Sequence, residues 1–217
     1  MSAASRAPQR SNRAPQSSNR APRARRRVLL AASGAAAAAL LVSACGSGGT
    51  SGGGGDTGYV AGSDGIATVE KGDRADAPDL SGETVDGDHL DVDDYKGKVV
   101  VVNVWGSWCP PCRAEAKNFE TVHQDLKDEG VQFVGINTRD ATVGPALAFE
   151  EEQGVTYPSL FDPTGKLMLR FEKGTLNPQA VPSTLVFDRD GKIAARSLQA
   201  LSEEKLRKMI APVLAEK

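Results

Sequence analysis

The chain is poor in metal- and disulfide-forming residues, with three cysteines and two histidines among 217 residues. Three cysteines are too few for a disulfide-rich scaffold or a four-cysteine zinc site. They leave room for one reactive dithiol and one cysteine besides. The body of the chain also lacks a basic footprint. Residues 1–44 hold eight arginines and no acidic residue, which leaves 18 basic against 28 acidic residues in 45–217, a balance of −10 behind an overall −2. Such a body excludes a nucleic-acid partner, whose phosphates demand a positive surface. The uncharged apolar stretch over 28–44 has seventeen residues, short of the ~20 that a spanning helix needs. What is present is enough for one domain plus extensions, with 40% hydrophobic and 25% charged residues to build a core and a surface.

The N-terminus, where acid is missing, has the pattern of an address. Residues 1–27 are rich in Arg, Ser and Pro and end in Arg23, Arg25, Arg26 and Arg27. An apolar stretch closed by small residues then completes the pattern of a secretory signal peptide. Leu41-Val42-Ser43-Ala44-Cys45 resembles the lipobox of bacterial lipoproteins. That resemblance implies cleavage before Cys45, lipidation of its sulfur, and anchoring on the outer face of the cytoplasmic membrane. An uncleaved anchor helix is the alternative reading. The arginine cluster fits either a general secretory or a twin-arginine signal. From 46 to 65, ten of twenty residues are glycine, a flexible coil with a reach of roughly 25 Å. The expected organisation is a signal peptide over 1–44, a tether over 45–65 and a folded domain over 66–217.

The body reads as alternating strands and helices. A short strand over 66–69 and an extended segment with a small hairpin over 77–87 lead into the β-branched run 99–104, suited to the centre of a sheet covered on both faces. Phe119, Val122 and Leu126 recur as one helical stripe ended by Gly130, and 131–136 is a second strand. A helix is expected over 145–153, a hairpin from 184–187 and 192–196, and a last helix capped by Ser202 with Leu206, Ile210, Val213 and Leu214 inward. The pattern predicts α/β architecture with a mixed sheet.

The chemistry lies where the first long strand meets its helix. Cys109 and Cys112 are three residues apart, so their sulfurs share one face of the first turn. Unpaired N–H groups and the helix dipole favour a thiolate at Cys109, and Cys112 is placed to resolve a mixed disulfide. Pro110 and Pro111 are tolerated there but donate no hydrogen bond to the Cys109 sulfur, so its thiol is expected to be less acidic than in strongly oxidising dithiols. The competing readings are half of a zinc site and a buried structural bridge. A zinc site needs two more ligands, and only His89 and His123 are on offer. Both histidines read as surface or helix residues without a role.

Residues 100–112 (VVVNVWGSWCPPC), with Arg113-Ala114-Glu115 behind them, resemble the membrane-anchored, extracytoplasmic thioredoxin-like proteins of the TlpA/ResA type. The resemblance runs over 77–217 and includes Asp94-Tyr95-Lys96-Gly97-Lys98 and Val181-Pro182-Ser183-Thr184. It implies a thioredoxin-like three-layer fold with a central mixed β-sheet and an N-terminal β-hairpin extension. It also implies a cis Pro182 facing the dithiol, with the Val181 backbone open to an extended substrate. Cytoplasmic thioredoxins carry a buried Asp six residues before the first cysteine, where this chain has Asn103. Glu115 matches a glutamate that TlpA/ResA-like reductases keep near the dithiol, which implies that it takes a proton from Cys112 during resolution or holds both thiol pKa values up, the proton role being favoured. An exposed Glu near the helix N-terminus is the alternative. Trp108 reads as a substrate shelf and Trp105 as core.

The function expected from the resemblance is a protein-disulfide oxidoreductase, a monomer with no cofactor beyond the Cys109–Cys112 redox disulfide and no metal. It would reduce exported cysteine-containing clients, apocytochrome c among them, with electrons from a membrane thiol donor. Trp108, Pro110, Pro111, Val181 and Pro182 would contact the client. The rival readings are a peroxiredoxin-like thiol peroxidase, for which Gly106 stands where a threonine is usual, and a non-enzymatic metal chaperone or adaptor.

Overall fold

The structure, a computed structural model, describes residues 57–216. The expected signal peptide, Cys45 and the first part of the tether lie outside the described residues.

Strand β1 (Val60–Ala61) pairs antiparallel with β2 (Ile66–Thr68), and a separate ribbon forms from β3 (Ser81–Glu83) and β4 (His89–Asp91). Then come β5 (Val99–Trp105), helix α1 (Pro110–Leu126), β6 (Val131–Thr138), helix α2 (Val143–Gln153) and β7 (Ser159–Asp162). The antiparallel hairpin β8 (Ser183–Phe187) and β9 (Ile193–Ser197) precedes helix α3 (Glu203–Ala215), whose N-cap Ser202 accepts the Lys205 N–H. Among the described residues the main sheet has seven strands in the order β1-β2-β9-β8-β5-β6-β7, with β5, β6 and β7 parallel and the others antiparallel. The mixed α/β sheet with a β3–β4 hairpin is the expected architecture.

β5 organises the interior because every one of its residues is buried. Alternation sends Val99 and Val101 to a cluster with Phe119, Val122, Leu206, Ile210 and Val213 from α1 and α3. Val100, Val102 and Val104 go to the other face, against Leu80, Leu90, Met168 and Phe187. Asn103 therefore shares the α1 side with Val101. The ribbon is fastened to the far edge strand by Val85 N–H to Ser159 O at 2.8 Å, which carries Val85 into the cluster holding Trp105, Cys109 and Cys112.

Three expectations change. The sheet starts before residue 66: β1 falls within the expected tether, and Tyr59 packs with the Arg196 guanidinium 3.9 Å from its ring centre. Strand β7 was not anticipated, since four residues behind Pro158 offer too short a pattern. Helix α2 begins at Val143 rather than 145, which leaves Pro145 in its first turn, where a missing N–H costs nothing. His123 is buried between the Phe133 and Tyr157 rings at 5.5 and 5.6 Å, and burial pushes its imidazole below the ordinary value.

Candidate active site

Parallel β5 and β6 end together at Trp105 and Thr138, and the connections leaving those ends build the site. Cys109 is the N-cap of α1. Its Sγ takes the place usually held by a Ser or Asp oxygen and accepts the Cys112 N–H at 3.3 Å. Pro110 and Pro111 fill the next two positions and have no N–H to offer. Cys109 and Cys112 are joined in a disulfide, with Cα atoms 5.3 Å apart, and both are buried.

The Val181–Pro182 peptide is cis, and the Val181 carbonyl oxygen lies 3.7 Å from Cys109 Sγ. The structure thus brings Val181, Pro182 and the dithiol together. Trp108 is 46% exposed beside Cys109. Its indole N–H is fixed on the Thr138 carbonyl at 3.1 Å, and the Arg139 guanidinium lies 4.3 Å over its ring. Trp105 is buried, stacked on Phe149 at 4.5 Å, and donates to Ser159 Oγ at 3.3 Å.

Glu115 is 2% exposed, so it does not sit on the surface near the helix N-terminus. Its Oε1 accepts the Asn103 amide at 3.0 Å and its Oε2 the Leu201 N–H at 2.9 Å. Burial pushes its carboxyl up to about 7, against the downward pull of those two donors. A group with that value exchanges protons near neutrality.

Some members of the site were not singled out from the sequence. Asp140 is buried and accepts the Ser107 N–H at 2.9 Å, the Ser107 hydroxyl at 2.6 Å and the Asn137 amide at 2.7 Å. It holds the loop that delivers Trp108 and Cys109. Its position just past a strand's C-terminal end, where parallel sheets gather their sites, was the available signal. Leu201 contributes only a backbone N–H, which no side-chain pattern reveals. Cys45 lies outside the described residues. Among the described residues, no three His, Cys, Asp or Glu side chains converge as metal ligands, and no helix is long and apolar enough to cross a membrane.

A family model described as Redoxin matches residues 70–210. The thiol:disulfide interchange protein HelX of Rhodobacter capsulatus is 34% identical over 151 residues, covering 69% of this chain and 80% of that protein. The thiol-disulfide oxidoreductase ResA of Bacillus subtilis is 28% identical over 119 residues, covering 55% and 63%. Among solved structures, a DsbF homologue from Corynebacterium diphtheriae superposes with a TM-score of 0.64 at 36% identity, covering 70% of this chain and 94% of that one. A secreted thiol-disulfide isomerase from Corynebacterium glutamicum gives 0.67 at 27% identity, covering 76% and 100%.

Proposed function

Since the chain belongs to the redoxin family and is a thiol–disulfide oxidoreductase, we propose that it works outside the cytoplasm as a reductant of disulfides in exported proteins. In this reading Cys45 carries the lipid anchor and a membrane thiol carrier supplies the electrons. Cysteine pairs of apocytochrome c are among the clients.

The observation that carries the reductant reading is the sparse hydrogen bonding of Cys109. Two prolines occupy the positions behind it, which leaves the Cys112 N–H as the backbone donor to its sulfur. Strongly oxidising dithiols owe their potential to a stabilised thiolate in the reduced form. Weak stabilisation of the thiolate makes the pair a better reductant.

In the reducing direction the Cys109 thiolate attacks one sulfur of the client disulfide and expels the other as a thiolate. Cys112 gives its proton to Glu115 and attacks Cys109 Sγ. The Cys109–Cys112 bond forms, the client leaves with its second thiolate, and two electrons have passed to the client. Trp108 offers a flat apolar shelf beside the nucleophile, and Val181 offers its backbone to an extended client segment, with Pro110, Pro111 and Pro182 closing the contact surface. The peroxidase alternative is disfavoured by space. A Cβ at Gly106 would lie 2.5 Å from Trp108 Nε1 and 3.1 Å from the Thr138 carbonyl oxygen, so a peroxidatic threonine displaces the tryptophan.

Trapping tests the reading. Cys112→Ser should accumulate mixed disulfides between Cys109 and exported proteins that carry cysteine pairs, identified by mass spectrometry. Cys109→Ser should accumulate none. Equal trapping by both variants, or trapping of peroxide-derived adducts alone, contradicts the proposal.

A further inference from the structure

Asn103 occupies the middle of β5 on the side that faces α1, and it is 4% exposed. An amide in the interior of a fully buried strand is costly unless it is hydrogen-bonded. Its Nδ2 donates to Glu115 Oε1 at 3.0 Å and lies 3.5 Å from Thr184 Oγ1 on β8. The other Glu115 oxygen takes the Leu201 N–H at 2.9 Å, while the Leu201 carbonyl accepts the Asn118 amide at 3.2 Å. Residue 201 is therefore fastened to α1 through both its backbone groups. Between them, Asn103 and Leu201 present one fixed donor to each carboxyl oxygen.

That geometry discriminates between the two forms of the acid. A carboxylate accepts fully from both donors, whereas a carboxylic acid accepts weakly wherever its hydroxyl oxygen meets one of them. Burial favours the neutral acid, so the donors and the burial act in opposite senses on one group. Tyr157, whose hydroxyl burial keeps neutral, lies within electrostatic reach of Glu115, Glu120 and Glu150. Cys112 precedes Glu115 by one turn of α1.

We infer that Asn103 is a positioning residue for the exchange reaction, whose amide holds Glu115 in the ionised form that accepts the Cys112 proton. The inference rests on the role of Glu115 proposed above. The Cys112 S–H bond breaks as the proton passes to Glu115. The sulfur then displaces the client from Cys109, and the proton on Glu115 returns to water once the disulfide has formed. A neutral Glu115 cannot take that proton, so losing the amide slows resolution at neutral pH without touching the nucleophile.

The test uses the intact protein with Asn103→Leu, which removes the donor at similar size, and Asn103→Asp, which adds a second carboxyl. Two quantities are followed against pH: the Glu115 carboxyl resonance by carbon-13 NMR, and the alkylation rate of Cys112 in a Cys109→Ser background. In Asn103→Leu the Glu115 midpoint should rise from about 7 by about one pH unit, and the matching inflection in the Cys112 profile should move with it. In Asn103→Asp two carboxyls share one proton and should titrate in two separated steps. If Asn103→Leu does not fold, Asn103→Asp decides alone. Lower thermal stability with an unmoved Glu115 midpoint overturns the inference, because a merely structural amide gives that result. A moved Glu115 midpoint with an unmoved Cys112 profile upholds Asn103 as the residue that sets Glu115, and instead overturns Glu115 as the proton acceptor.

Discussion

Glu115 joins the stripe of α1 that also buries Cys112, Ala116, Phe119 and Val122. Those positions follow one another at helical spacing, which favoured a buried Glu115 over the exposed alternative without deciding between them. Its partners were not legible. Asn103 lies twelve residues away and Leu201 eighty-six, and only the packing of α1 between β5 and the start of α3 brings them together. His123 continues the same stripe, and its reading as a surface or helix residue without a role left open its burial against Phe133 and Tyr157. A raised carboxyl has a signed consequence for stability. Below the unfolded value near 4.5 both states are protonated. As pH climbs to about 7 the unfolded chain releases a proton that the fold retains, and the stability given up levels off at roughly 3 kcal/mol. Glu115→Gln has no such handicap, so its stability relative to the parent should improve by about that amount between pH 4 and pH 8. Urea denaturation of both proteins across that range measures it, and a constant difference would contradict a buried, titrating Glu115.

Strands and helices with long periodic patterns were legible, and those fixed by close approach were not. β5, α1, β6, the β8–β9 hairpin and α3 all follow from β-branched runs, a helical stripe or a Ser cap. β7 has four residues, and it is defined by pairing with β6 rather than by any pattern of its own. The junction between them depends on Gly135. A Cβ there would lie 2.2 Å from Ser159 Oγ and 2.7 Å from Trp105 Nε1, and Trp105 lies in one cluster with the dithiol. Gly135→Ala should therefore cost about 2 kcal/mol or more in thermal or chemical denaturation, by overpacking. Adding Ser159→Ala removes the nearest atom and should recover part of the loss. A single variant as stable as the parent would show that β6 and β7 are further apart than this account requires. The Asp140 clamp belongs to the same scale, since a loop held by one buried carboxylate has no periodic signature.

At the scale of the whole molecule the sequence marked a glycine-rich approach and an acidic folded body, and it placed the boundary a few residues late. The packed chain includes Tyr59 and β1. Arg196 stands against the Tyr59 ring and donates to the carbonyls of Gly174 and Thr175. That loop runs on toward Val181 and Pro182. At the other end of the chain, partly buried Arg74 pairs with Asp188 at 2.8 Å and Glu216 at 2.6 Å, tying the end of α3 to the lead-in. Glycine content alone hides where such packing begins, because a single aromatic residue can end a tether. Tyr59→Ala should lower stability by about 1–2 kcal/mol. An unchanged unfolding midpoint in urea would return the boundary to residue 66.

In the proposed reading the redox poise of the Cys109–Cys112 disulfide is set by two prolines at a helix start, a sparsely bonded sulfur and a buried carboxyl one helical turn beyond Cys112. The direct test is the reduction potential of the Cys109–Cys112 couple, measured by equilibration with a glutathione or dithiothreitol buffer at pH 7. A value close to the about −270 mV of reducing dithiols is the result predicted for a reductant. A value near or above about −120 mV would place the protein with the strong oxidants and contradict the account.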